Sequence, residues 1–137
     1  MSSDSQWPLQ QAVYAALTGD ASVQALLGNP ARVFDHVPQD SVFPYVVVGE
    51  VTSGPFDTKT EDGLDQTLTI HSWSRYRGLK ETKEIMAAVT GALDQQALAV
   101  SGHDLVLLRL TFGATVLDPD GLTRHGVQRF RAVTQAQ

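Results

Sequence analysis

The segment from Asp104 to Val133 constrains the fold more than any other part of this sequence. It contains two long runs in which apolar and polar residues alternate, separated by the tetrapeptide Asp118-Pro119-Asp120-Gly121. Proline presets φ for a turn and glycine accepts a positive φ, so this tetrapeptide predicts a tight hairpin. The segment therefore predicts two paired antiparallel strands, from Asp104 to Leu117 and from Leu122 to Val133.

The remaining elements are predicted to be helix, helix, strand, strand and helix. Helical spacing predicts helices near residues 7–18, 21–27 and 79–93, with Ser5 and Asp20 as caps of the first two and Leu79 in the buried stripe of the third. Runs of β-branched residues predict strands at 45–52 and 64–73, and a short one at 33–34. The nearly continuous apolar run of 45–52 suggests burial on both faces. The order predicts an α+β fold, a mainly antiparallel sheet of about four strands with helices packed on one face.

The length of 137 residues fits one domain. We expect a folded core over residues 6–134, a long polar loop over residues 53–63 and a frayed tail over residues 135–137. The start of the chain lacks the basic cluster and apolar run of a signal peptide, and no apolar run approaches the roughly 20 residues that span a bilayer. We therefore expect a soluble protein made in the cytoplasm, with no membrane partner.

Several kinds of chemistry are absent from the sequence. With no cysteine, the chain has no disulfide, no thiolate nucleophile and no cysteine-based metal site. The four histidines lie too far apart to form a helical or finger-type metal pair, and there is no glycine-rich phosphate loop. The carboxylates of Asp57, Glu61, Asp62 and Asp65 are typical of a solvated surface. No catalytic, cofactor-binding or metal-binding residue is predicted, and the net charge of −5 disfavours nonspecific DNA binding.

The residues that remain as candidates are suited to contacts between proteins. Arginines on the final hairpin either form cross-strand pairs with carboxylates such as Glu50 and Asp65 or face a partner. Trp73, followed closely by Arg75, either covers the edge of the core or belongs to an interface. The candidate interface residues are Asp57, Lys59, Glu61, Asp62, Trp73, Arg75, Arg77, Arg109, Arg124, Arg129 and Arg131.

Four segments in order resemble a known family: FPYVVVGE at 43–50, KTEDG at 59–63, LTIHSWSR at 68–75 and DPDGLTRHGV at 118–127. Together they are similar to the tail-completion proteins of siphophage-like particles, and most of all to the tail terminators of gene transfer agents. The resemblance extends over about residues 9–133.

The resemblance implies a small α+β structural protein without catalytic residues or cofactors. It implies a homo-oligomeric ring, typically a hexamer, that caps the head-proximal end of the tail tube, stops its polymerisation and contacts the neck. The implied partners are the tail tube protein and a neck stopper or connector protein, and DNA passes through the lumen without specific binding. The implied location is a virion or gene-transfer-agent particle. Two alternatives remain open, a small cytoplasmic ligand-binding domain or enzyme and a nucleic-acid-binding module.

Overall fold

The computed structural model describes residues 4–57 and 62–137, and the candidates Lys59 and Glu61 lie outside these residues. The described residues form three helices and five strands, in the order α1 (Gln6–Thr18), α2 (Ala21–Leu27), β1 (Val33–Phe34), β2 (Tyr45–Pro55), β3 (Gly63–Ser74), α3 (Lys80–Leu93), β4 (His103–Leu117) and β5 (Arg124–Ala136).

The strands form one sheet in the order β1-β2-β3-β5-β4. β1 pairs with β2 in parallel, whereas the other three pairings are antiparallel. The last strand of the chain therefore lies in the interior of the sheet, between β3 and β4. The predicted α+β class is confirmed, with the short β1 bringing the number of strands to five.

The hydrophobic core lies between the helices and one face of the sheet. Val46, Val48, Leu68, Ile70 and Phe130 alternate along their strands toward this core and are almost fully buried. Because side chains alternate across a strand, the residues between them occupy the opposite face, called here the helix-free face. The prediction that β2 is buried on both faces is therefore wrong.

The helices are fixed to the sheet by close packing and by buried polar contacts. A Cβ at Gly126 of β5 would come within 2.7 Å of the Met86 sulfur on α3, so glycine permits this close approach. Gln128 donates to the Thr90 hydroxyl of the same helix at 2.8 Å. The Ser5 hydroxyl, predicted to cap α1, instead contacts the Thr134 hydroxyl at 2.5 Å. By contrast, Asp20 caps α2 as predicted, accepting from the Val23 N–H at 3.0 Å.

Several predicted boundaries differ from the structure. The predicted loop over 53–63 is shorter, because β2 continues to Pro55 and β3 begins at Gly63. Proline is tolerated there because β2 is an edge strand at that point, where a missing N–H loses no ladder hydrogen bond. Of the predicted frayed tail, Gln135 and Ala136 instead belong to β5, since Ala136 pairs with His103, and only Gln137 lies beyond the strand. Leu79 precedes α3 as its N-cap and is exposed, so it does not belong to the buried stripe.

No helix among residues 4–57 and 62–137 is both long enough and apolar enough to cross a membrane.

Candidate interaction surfaces

A chain of polar and aromatic side chains crosses the helix-free face over β2, β3 and β5. Glu50 accepts a hydrogen bond from His71 Nε2 at 2.8 Å, and His71 Nδ1 lies 2.7 Å from His125 Nε2. The His125 ring stacks on Trp73 with ring centroids 3.8 Å apart and planes 7° apart. The predicted candidate Trp73 is therefore held on the outside of the sheet, and we call these four residues the histidine chain.

A β-bulge brings Glu50 into the histidine chain. The register between β2 and β3 shifts between Val48 and Val51, which places an extra residue in β2 opposite β3. The His71 ring lies against the backbone at Gly49, where a Cβ would come within 2.7 Å of the ring. The bulge and the missing side chain together allow the imidazole to reach the carboxylate.

The Glu50 carboxylate determines which nitrogen atoms of the histidine chain carry protons. A carboxylate can only accept, so His71 Nε2 carries the proton toward Glu50. In a neutral His71 the Nδ1 atom is then an acceptor, and His125 Nε2 donates to it. The hydrogen bond from His71 lowers the pKa of Glu50 below its ordinary value. Burial lowers the pKa of His125, and His71 adds to this, while Asp118 and Glu50 oppose it.

This arrangement predicts a loss of stability on mild acidification. Below the ordinary histidine pKa of about 6.5, the unfolded chain binds a proton at His125 that the folded chain does not bind until a lower pH. Stability should therefore fall as the pH drops from 7 to 5, and His125→Gln should show a shallower fall. Urea unfolding at the two pH values measures both slopes. His36→Gln, which changes an exposed histidine, is the control, and equal slopes for the native chain and His125→Gln would contradict the prediction.

The arginines of the final hairpin have different partners. Arg131 binds the Asp65 carboxylate through two nitrogens, at 2.8 Å from Nη2 and 3.1 Å from Nε, so it is paired across strands within the chain. The Arg129 guanidinium lies over the Phe112 ring, 4.5 Å from its centroid. Arg109 on β4 is exposed. Glu50 binds His71, not one of these arginines.

A second surface lies where β2 and β5 begin and β3 and β4 end, called here the turn end. The predicted hairpin turn is confirmed, because Asp118 N–H donates to Thr123 C=O at 2.8 Å and Gly121 has φ +72°. Asp120 accepts from two backbone N–H groups and the Thr123 hydroxyl, which lowers its pKa to about 2. These bonds make the turn a rigid part of the surface.

The turn end exposes large apolar side chains beside arginines. Leu122 is 62% and Val42 is 65% exposed, and the other exposed apolar residues here are Tyr76, Leu79, Val116 and Leu117. The Arg75 guanidinium lies 4.4 Å from the Phe43 ring centroid and also donates to Thr123, whereas Arg124 donates to the Leu122 carbonyl at 3.2 Å. Arg77 is exposed. These arginines were predicted from the sequence, whereas the apolar patch was not, because it unites residues distant in sequence.

The opposite end of the sheet, called here the loop end, carries the acidic candidates. The Asp57 carboxylate accepts from the Gly63 N–H at 3.2 Å and so closes the base of the connection between β2 and β3. Asp62 is exposed, and its carbonyl accepts from the Ala136 N–H at 3.0 Å. The two ends of the sheet therefore differ in character, one apolar with arginines and the other acidic.

The described residues include neither a deep ligand pocket beside α1 nor a cluster of metal ligands. An open groove of about 460 Å³ lies between α1 and β1, beside Trp7, Tyr14 and Phe34. Two of its polar groups, Gln10 and Asp35, already bind each other at 3.2 Å. Within residues 4–57 and 62–137, no group of three or more histidine or acidic side chains is arranged to hold a metal ion.

Comparisons with known proteins show which family this chain is similar to. Residues 11–135 match the family described as tail completion protein gp17. The tail completion protein gp17 of Bacillus phage SPP1 is 32% identical over 110 residues, which cover 80% of this chain and 81% of that protein. A chain in the solved structure of the virion of a native gene transfer agent particle has a TM-score of 0.86 and 29% identity, covering 93% of this chain and 95% of that one.

Proposed function

The chain belongs to the tail completion protein gp17 family, and we propose that it completes a tail by forming a ring on the head-proximal end of the tail tube. The family is one of structural tail proteins, so the chain is a structural protein of a phage-like particle and not an enzyme. In the proposed role the ring stops tube polymerisation and gives the neck a surface to bind. The observation that carries the proposal is the likeness, at a TM-score of 0.86, to a chain of a native gene transfer agent particle.

The two ends of the sheet differ in polarity and charge, which supports the proposal that the subunit has two docking surfaces. A terminator ring must bind the tube on one side and a neck protein on the other. Exposed apolar patches on small proteins commonly mark lasting contacts. The turn end offers such a patch around Leu117 and Leu122, whereas the loop end offers Asp57 and Asp62. Two unlike surfaces suit two unlike partners, the tube protein and a neck stopper or connector protein.

The charge of the subunit supports a passive route for DNA through the ring. A chain with a net charge of −5 attracts phosphates poorly, because nonspecific DNA binding depends on their neutralisation by lysine and arginine. Arg131 on the helix-free face is already paired with Asp65. We therefore include in the proposal that DNA passes through the lumen without specific binding.

The proposed function predicts that the purified chain stops the growth of tail tubes. Tube protein from the matching particle is polymerised with and without the chain, and tube lengths are measured by electron microscopy. We expect shorter tubes carrying a ring at one end. A Val42→Asp, Leu122→Asp variant changes two exposed side chains of the turn end and should remain folded, yet lose attachment to either the tube or the neck. Tubes of unchanged length without end-bound rings would overturn the proposed function.

A further inference from the structure

Among the described residues, the sheet has unpaired backbone along parts of both of its edges, called here its margins. β1 pairs with Val46 and Val47 alone, so the outer margin of β2 over residues 48–55 has no strand partner among the described residues. On the opposite side of the sheet, β4 has β5 as its neighbour and no strand beyond it in the described part of the chain. An unpaired margin presents a row of N–H and C=O groups that another strand can bind.

The chain covers part of the β4 margin itself. The Gln95 N–H donates to the Leu108 carbonyl at 2.8 Å, and the Leu110 N–H donates to the Asp94 carboxylate at 2.8 Å. The segment after α3 therefore occupies the margin up to Leu110. Residues 111–117 have no such cover among the described residues, and the side chains of Phe112 and Val116 in this stretch are 44% and 50% exposed.

The strand directions make the two free margins compatible. β2 and β5 run one way, whereas β3 and β4 run the other way. In a ring whose axis lies near the strand direction, the next copy presents its β2 antiparallel to β4. We propose that residues 111–117 of β4 pair antiparallel with residues 48–55 of β2 in a second copy of this chain, joining neighbouring subunits into one continuous sheet. This inference rests on the proposed function only in taking the assembly to be a ring.

The positions of the margins predict a definite stagger between copies. Ala114, at the centre of the free stretch of β4, is level with Val127 of β5. Thr52, near the centre of the free stretch of β2, is level through Thr67 with Arg131 of β5, four residues further along. Both side chains lie on the helix-free face, so pairing Ala114 with Thr52 keeps the faces aligned.

This stagger agrees with the geometry of closed sheets. Four residues correspond to about 13 Å along a strand, and the four long strands of one subunit span about 19 Å across the sheet. The stagger divided by the width is the tangent of the strand tilt, which is therefore roughly 35° for any number of subunits. This value agrees with the range of about 35–45° found in closed barrels. The same stagger keeps β4 of one copy clear of β1 in the next. The contact is heterologous, as ring closure requires.

The absence of cysteine allows a direct test by cross-linking. A Thr52→Cys, Ala114→Cys variant of the full chain is oxidised at high concentration, both alone and together with tail tubes, and a short bis-maleimide linker is used in parallel. We expect a ladder of covalent dimers, trimers and larger species. The matched control is Thr67→Cys, Ala114→Cys, because Thr67 lies beside Thr52 on the same face but in the interior strand β3. The control should give no ladder.

A charge exchange gives a second readout without disulfides. Thr52→Glu with Ala114→Glu places like charges opposite each other and should weaken assembly severalfold in analytical ultracentrifugation. Thr52→Lys with Ala114→Glu should restore assembly. Equal loss in both variants, or no loss in either, would overturn the pairing.

The cross-linking and tube-growth outcomes can be told apart. A chain that stops tube growth but gives no Thr52–Ala114 ladder, alone or on tubes, would overturn the edge pairing and leave the capping function intact. A chain that forms the ladder but leaves tube growth unchanged would overturn the capping function and leave the edge pairing intact. A ladder that is equally strong in the Thr67 control would also overturn the edge pairing.

Discussion

Replacing Phe130 by alanine is expected to lower the free energy of unfolding by about 3–5 kcal/mol. Phe130 is the largest fully buried side chain of the described residues and lies on the interior strand β5, where its ring contributes to the core beneath the helices. Truncation removes buried apolar surface and leaves a cavity that the flanking strands, paired on both sides of β5, cannot readily close. Denaturant unfolding followed by circular dichroism measures the change.

Phe112→Ala is the matched control for this prediction. Phe112 lies on β4 and is 44% exposed, with the Arg129 guanidinium over its ring. Its truncation removes a surface contact and should cost about 1 kcal/mol or less. A loss at Phe130 no larger than that at Phe112 would show that the core is not centred on β5.

Replacing Gly63 by alanine is expected to cost about 3 kcal/mol, because backbone atoms surround this position. A Cβ here would overlap the Phe56 carbonyl oxygen and would lie 2.8 Å from the Thr134 carbonyl oxygen. Main-chain atoms in a paired sheet cannot move aside as the end of a flexible side chain can. The Gly63 N–H also donates to the Asp57 carboxylate, so a shift of the backbone at Gly63 would weaken this hydrogen bond at the base of the loop end.

Gly54 provides a control from the facing strand. It pairs with Asp65 in the same hairpin, but a Cβ at this position would meet no atom within 4 Å. Gly54→Ala should therefore leave the thermal midpoint unchanged or raise it slightly, since alanine has less chain entropy to lose on folding. Similar melting temperatures for Gly63→Ala and Gly54→Ala would refute the steric explanation.

Local signals predicted the local parts of this fold. Asp118 to Gly121 form a hairpin because proline and glycine favour the turn whatever surrounds it, and Asp20 caps α2 through its own next residues. The family resemblance was confirmed by the comparisons. Both β2 and β5 end three residues later than predicted, because these ends are held by neighbours distant in sequence, including the pairing of Ala136 with His103. The start of β5 was predicted two residues too early, at Leu122.

The surfaces were only partly predictable for the same reason. Cross-strand pairing of Arg131 with Asp65 was one of two alternatives, and strand register was needed to choose it. The histidine chain was missed, because Glu50 reaches His71 through a bulge that no sequence period indicates. The free margins were not predicted either, because β4 is an edge strand only if β5 lies between β3 and β4. Lys59 and Glu61 remain predictions, since they lie outside the described residues.

The interior position of β5 has a consequence for how the chain folds during synthesis. Among the described residues β3 and β4 do not pair with each other, and both pair with β5, which follows all the other strands in sequence. Ser5 also contacts Thr134, across 129 residues of sequence. A nascent chain that lacks β5 therefore has no complete sheet, and the slow, long-range pairings form only after β5 has been synthesised. Truncated products that lack β5 should remain unfolded and exposed to proteases, so that only subunits containing β5 reach assembly.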